Sequence, residues 1–251
     1  MSSAAIALLV FACLFGAALL GSLLRAVLPE HHLNAETKDS VKLTMGLVAT
    51  MSALILGLLI AAAKDKYDKE SAGVTQMAAK VIFLDRELAM YGPETKDTRE
   101  LYRRIVEQIM NRMWPDSKVR QAELDPTASR ADALYSAIHK LSPQGDLQTT
   151  LKAQALSTSM ELGQMRWLEF EQAESAVSKP LLCILTFWLA VLFVSFGLFA
   201  PSNGTVVVAQ MLAALSVAGA IFLLMELNSP FTGMVQISNA PFLDAIAHLG
   251  Q

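Results

Sequence analysis

Four stretches of this 251-residue chain carry no formally charged side chain: Ala4 to Leu24, Leu43 to Ala63, Pro180 to Ala200 and Thr205 to Met225. Each is 21 residues long. Wound as an α-helix, such a block reaches roughly 30 Å, the thickness of a bilayer's hydrocarbon core. In hydrocarbon every backbone N–H and C=O must find its partner within the segment, so all four blocks are read as membrane-crossing helices. The first block is preceded by MSSAA, with no basic residue, and its apolar run is too long for the h-region of a secretory signal. It is read as a retained helix. The chain is 53% hydrophobic and only 17% charged, against about 25% charged for soluble domains.

Four crossings put both termini and the segment between the second and third blocks on one side. They put residues 28–42 and the APSNG turn on the other. Seventeen of the 20 Lys and Arg fall between Lys64 and Lys179. The flanks matter most for orientation, and Lys64, Lys66 and Lys69 follow the second block directly while Lys179 precedes the third. The expected topology is therefore a cytoplasmic central segment with cytoplasmic termini. The domain plan is 1–63 for the first two membrane helices with an outward loop at 28–42, and 64–179 for a cytoplasmic helical domain. The plan continues with 180–227 for the other two helices and 228–251 for an interfacial tail. The expected fold class is all-α: a polytopic membrane protein with four transmembrane helices.

The central segment reads as helix throughout. Val74, Met77, Val81, Leu84, Leu88 and Tyr91 recur at helical spacing and form one apolar stripe, which Gly92-Pro93 ends. A second helix is expected from Glu94 to Trp114, a loop over DSKVRQAELDPTAS, and a third helix from Ala131 to Leu141. Asp146 is expected to cap a fourth that runs to Ser178. In the tail, Ser238 or Asn239 should cap a short helix with Phe242, Ile246 and Leu249 on its apolar face. That helix should lie along the membrane surface or dock on the helical domain. Acidic and basic residues nearly cancel in the central segment, 18 against 17. No phosphate loop or strand pattern occurs, so nucleic acid is not an expected partner.

Small residues line parts of the apolar blocks. Gly46, Thr50, Ala53, Gly57 and Ala61 share one helix face, as do Ala209, Ala213, Ser216 and Ala220. Such faces let helix backbones approach closely. The stripe of the second block packs either within one subunit or against copies of itself around an axis. In the second case its other edge, Leu47, Met51, Leu54 and Leu58, faces a lumen, since apolar constrictions gate by dewetting.

Residues that could carry chemistry are few. LPEHHLNAETKDS, residues 28–40, holds Glu30, His31 and His32. Helical metal sites use spaced histidines, and adjacent ones point apart, so no metal is expected here. With Lys42 these residues are read instead as a pH-sensitive lining of an outer vestibule. Glu226 directly abuts a membrane block, which makes it a candidate at the inner interface. Cys13 and Cys183 both lie in apolar blocks and support neither a disulfide framework nor a thiolate metal motif. His139 is read as a surface residue, and His248 as a local partner of Asp244. No catalytic constellation is legible, so neither enzymatic activity nor a cofactor is expected.

Several runs together resemble the bacterial bestrophin-like membrane proteins: LPEHHL, KLTMGLVATMSALILGLLIAAAK, LDRELAMYGPE, FGLFAPSN and MELNSPFTGMVQISNAPF. The resemblance covers nearly the whole chain. It implies kinship with bestrophins, chloride-conducting homopentamers with four membrane helices, a cytoplasmic helical body, and a narrow apolar neck lined by the second membrane helix. The aromatic neck residues of the animal proteins have no match in LVATMSALILGLL, and no acidic run resembles their calcium clasp. The expectation is an oligomeric ion channel of the bacterial inner membrane, in contact with lipid, further copies of itself and inorganic ions. The alternative is a membrane-anchored helical scaffold or sensor that conducts nothing and binds a protein partner.

Overall fold

In the computed structural model, residues 2–29, 34–114, 131–174, 179–201, 203–231 and 233–250 are described. Eight α-helices follow one another among them: α1 Ser3–Val27, α2 Ala35–Tyr91, α3 Lys96–Met113, α4 Ala131–His139, α5 Asp146–Glu174, α6 Lys179–Phe199, α7 Gly204–Leu227 and α8 Ala240–His248. The described residues contain no strand. Four of the helices are long and apolar enough to cross a membrane: α1, α2, α6 and α7.

The chain divides into two units, Met1–Lys66 with Ala176–Asn228, and Tyr67–Ser175 with Ser229–Gln251. In the first, Val10, Leu14 and Ala18 of α1, Leu185, Leu189, Leu192 and Phe193 of α6, and Ala214 and Ile221 of α7 form the core. One close approach sets the α1–α6 pairing. A Cβ on Gly21 would collide with the backbone of Val194, and a Cβ on Gly197 with the backbone carbonyl of Ala18. Ser22 Oγ donates to Ala18 O at 3.2 Å and to Gly197 O at 3.5 Å. At the end of the same pair, the Arg25 guanidinium donates to Ala200 O. That is a favourable place for a cation, because a helix C-terminus carries partial negative charge.

Helix α2 starts earlier than expected, ends before Gly92-Pro93 as expected, and joins two stretches read as separate helices. It begins at Ala35, inside the stretch read as a loop, because Asn34 Oδ1 accepts from Thr37 N at 2.8 Å and Glu36 occupies the first turn. It also continues past Lys64 without a break, for 57 residues in all, or about 85 Å. A helix of that length exceeds the hydrocarbon core and must leave the bilayer.

In the second unit, Val74, Met77, Val81, Leu84 and Leu88 of α2 meet Tyr102, Ile105 and Val106 of α3, Leu134 and Ile138 of α4, and Ala155 of α5. The tail joins this core through Phe231, Ile237, Phe242, Ala245 and Leu249, so it docks on the helical unit. Trp114 fixes it there. Its indole N–H donates to Ile237 O at 2.8 Å, and its ring lies 5.6 Å from Phe231 and 5.7 Å from Phe242. Gly92 takes φ 137°, which only glycine adopts without strain, and turns the chain out of α2. A 3-10 turn, Pro93–Thr95, precedes α3 where the sequence suggested helix from Glu94. Thr95 Oγ1 closes the turn on Leu88 O at 2.6 Å. Asp85 and Arg99 then join α2 to α3 by a two-pronged pair at 2.8 and 2.7 Å.

The smaller helices shift by a residue or two. Helix α4 ends at His139, and Lys152 Nζ donates to His139 O at 2.7 Å and Leu141 O at 2.8 Å. Asp146 is the first residue inside α5 and not its cap. Ser238 Oγ accepts from Ala240 N at 3.2 Å at the start of α8. The expected loop at 116–129 lies outside the described residues.

Candidate functional site

The apolar part of α2 presents three different faces. Met45, Val48, Ala49, Ile55, Leu56 and Leu59 pack on the core of the membrane unit, with Ser52 buried among them. The small-residue stripe is not on that face. Gly46, Thr50, Ala53, Gly57 and Ala61 are all exposed, and a Cβ on Gly46 or Gly57 would meet nothing within 4 Å. Among the described residues, then, this stripe is not covered within the single chain. The stripe of α7 turns out likewise: Ala209, Ala213 and Ser216 are exposed, while Ala214 and Ala218 are buried. On α7 other small residues take the interior in their place, so size alone does not decide which face is buried.

The third face carries the candidate lumen residues. Leu47, Met51, Leu54 and Leu58 are 64%, 45%, 64% and 62% exposed. Four large apolar side chains in a row on one helix edge want a dry neighbour, which is lipid, a second helix or a narrow lumen.

The N-terminal end of α2 contributes to a cavity. Lys38, Lys42, Met45, Gly46 and Ala49 line one wall; Phe193, Phe196 and Phe199 of α6 form another, and Val206, Ala209, Gln210 and Ala213 of α7 a third. Its volume is about 730 Å³, within the roughly 300–1,000 Å³ of small-molecule sites. Lys42 is also 3.7 Å from Asp39, both side chains being largely exposed. Five residues, or about 140° around the helix, separate Lys42 from Leu47, so Lys42 does not share the lumen edge. Glu30, His31 and His32, its proposed companions, lie outside the described residues.

Buried polar groups are the features that sequence reasoning missed. Gln210 is 7% exposed, and neither its Oε1 nor its Nε2 has a hydrogen-bond partner among the described residues. Ser52 Oγ is likewise buried and unpartnered among them. Glu226, the interface candidate, is buried in the last turn of α7 and engaged with its surroundings. Glu70 and Asp85 of α2 are also buried. Their signal was available, for Glu70 stands four residues before Val74 and Asp85 four after Val81, on the apolar stripe itself.

In the helical unit, Thr158 Oγ1 donates to Glu87 Oε1 at 3.1 Å. Burial pushes the Glu87 carboxyl above its ordinary range, with Glu161 adding to the effect and Thr158 and Lys80 opposing it. Burial also drives the Tyr102 phenol well up, its hydroxyl donating to Val81 O at 3.2 Å. His248 Nδ1 donates to the Asp244 carbonyl at 2.7 Å, so its partner is the backbone and not the carboxylate. Among the described residues no group of three or more His, Cys, Asp or Glu is placed to hold a metal ion.

These features define an all-helical membrane protein whose longest helix exposes two unlike faces. Comparison with known proteins then gives the family. Residues 12–242 match the Bestrophin-like domain model, and the chain belongs to the Bestrophin-like family. Its fold is similar to that of a bacterial bestrophin homologue from Klebsiella pneumoniae, solved as the crystal structure of a point mutant. The TM-score is 0.63 at 17% sequence identity, over 94% of this chain and 96% of that one. No curated protein matches the sequence.

Proposed function

We propose that this protein is a homo-oligomeric ion channel of the bacterial inner membrane, with α2 of each subunit around the conducting axis. The observation that carries the reading is the pair of exposed faces on α2. The small residues Gly46, Thr50, Ala53, Gly57 and Ala61 suit close approach by a neighbouring helix, and the adjoining edge of Leu47, Met51, Leu54 and Leu58 suits a dry lumen. Family membership supports conduction in general; a pentamer and anion selectivity follow from the resemblance to bestrophins alone. The central segment and both termini lie on the cytoplasmic side in this reading, and Glu226 lies near the inner interface. The vestibule is formed by Glu30, His31 and His32, while Lys42 faces the cavity beside α6 and α7. Catalysis has no part in it.

The test is current recording from the reconstituted protein under asymmetric chloride and potassium gradients. The wild type should conduct, with a reversal potential that follows chloride. Leu54→Ser should raise the conductance by wetting the constriction while leaving the oligomer intact. If the wild type and Leu54→Ser are both silent while correctly assembled, the scaffold reading replaces the channel. That reading would draw on the 410 Å³ apolar cavity of the helical unit, which Tyr135, Met160 and Trp167 help to line.

A further inference from the structure

From the cavity between α2, α6 and α7 we infer that the membrane unit holds an anionic phospholipid at the end where α1 stops and α2 begins. The inference rests on the chain crossing a bilayer and is independent of whether it conducts. Three observations point to one occupant. The inner walls are apolar, with Phe193, Phe196 and Met45 offering a surface on which an acyl chain can lie. The rim carries Lys38 and Lys42, one turn apart on the same face of α2, where a phosphate can be met by two ammonium groups. The same lining holds Gln210, buried, with both amide atoms lacking a partner among the described residues.

A buried amide that makes no hydrogen bond forfeits its hydration without return, so the site favours an occupant that can supply one. Gln210 lies six residues into α7, about 9 Å from its start at Gly204. Lys42 lies seven residues into α2. The two positions lie at similar distances from their helix starts, so an occupant that meets the lysines, the amide and the aromatic rings together must offer charge, a carbonyl acceptor and hydrocarbon. A glycerophospholipid carries all three: phosphate for Lys38 and Lys42, an ester carbonyl for Gln210 Nε2, and a chain to lie against Phe193. A free anion would leave the aromatic walls uncovered, and an uncharged lipid would leave the lysines unmet. Asp39, 3.7 Å from Lys42, weakens the rim's positive field without cancelling it, since Lys38 stands on the same rim.

The experiment uses the full-length assembled protein in mild detergent, stripped of lipid and then given phosphatidylglycerol, phosphatidylcholine or inorganic phosphate. Native mass spectrometry counts bound lipid, and thermal unfolding follows stabilisation. Phosphatidylglycerol should bind in preference to phosphatidylcholine, and millimolar phosphate should shift nothing. Lys38→Gln and Lys42→Gln should each reduce the preference about fivefold, the equivalent of about 1 kcal/mol per lysine. Gln210→Leu should weaken both lipids alike, because the ester is common to them. That variant should still fold, since it replaces an unpartnered amide by an apolar group of similar size. The inference is overturned if the wild type shows no headgroup preference, if the lysine variants keep it, or if phosphate alone reproduces the stabilisation. It is also overturned if Gln210→Leu binds lipid normally but loses its oligomer, which would assign the cavity to a neighbouring copy of the chain.

Discussion

The pairing of α1 with α6 turns on two hydrogen atoms. Where Gly21 and Gly197 face the opposite helix, an added methyl group would stand closer to backbone than any Cβ does in real proteins. Backbone cannot swing aside as a long side chain can, so the helices must separate. Gly197→Ala should therefore cost about 1–3 kcal/mol, the usual range for overpacking, and lower the thermal midpoint of the detergent-solubilised protein. Gly16→Ala, on the same α1 but with nothing within 4 Å, should be neutral or stabilising. Equal effects at the two sites would refute the close approach. Glu87 makes a second prediction, of opposite sign to the common one for carboxylates. Its folded-state carboxyl binds its proton more tightly than the ordinary value of 4.5. Between the ordinary and the raised value the native state holds more protons than the unfolded one, so stability falls as pH rises through that window. Glu87→Gln keeps an acceptor for Thr158 and removes the charge. It should stabilise the protein at pH 7.5, and the gain should shrink to nothing as pH falls below 4.5. A gain that persists unchanged at acid pH would mean that packing, and not ionisation, is responsible.

Helix α2 shows what an element can reveal from sequence and what it cannot. Its exposed small stripe yields the clearest test: Gly57 meets nothing within 4 Å in the single chain, so Gly57→Leu should leave the subunit's own fold intact. If a neighbouring copy packs there, the same change should break the oligomer into smaller species on size-exclusion chromatography with light scattering. An unchanged oligomer would remove the stripe from the interface. The four helices long and apolar enough to cross a membrane, α1, α2, α6 and α7, were legible because a run of 21 residues without a charge is what burial in hydrocarbon demands and a soluble helix seldom shows. The stripe from Val74 to Leu88 was legible because period alone defines it. That the helix of the second block runs on past Lys64 was not legible, for a physical reason. Charge marks where a chain leaves lipid, but KDKYDKES contains no Gly or Pro and its residues continue a helix readily. Which small residues make close contact was not legible, since Gly21, Gly46, Gly57 and Gly197 all sit in similar apolar runs and only the partner helix distinguishes them. The cavity was hidden for the same reason, being assembled from three helices far apart in sequence.

At the scale of the whole molecule the open question with the sharpest physical answer is which side faces the cytoplasm. Both ends of the stretch between the second and third apolar blocks are basic: Lys64, Lys66 and Lys69 on one flank and Lys179 on the other. The connection from α1 to α2 is flanked by Arg25, Lys38 and Lys42, so the bias is one of four against three near the membrane. Arg25 meets the Ala200 carbonyl and Lys42 meets Asp39, but Lys64, Lys66 and Lys69 are also engaged, so pairing does not change the comparison. The central segment, with 18 acidic and 17 basic residues from Lys64 to Lys179, adds no comparable bias of its own because long polar segments translocate largely regardless of charge. The expectation is a cytoplasmic helical unit. It can be tested by cysteine labelling in intact cells after Cys13 and Cys183, both exposed in the single chain, have been replaced by Ala. A cysteine at Ala35, exposed in the first turn of α2, should react with a membrane-impermeant maleimide. One at Ser142, exposed between α4 and α5, should react only after the cells are opened. Reaction at Ser142 alone in intact cells would invert the topology and place the proposed lipid site in the inner leaflet. Reaction at both would mean that the chain inserts in two orientations, as a four-against-three bias permits.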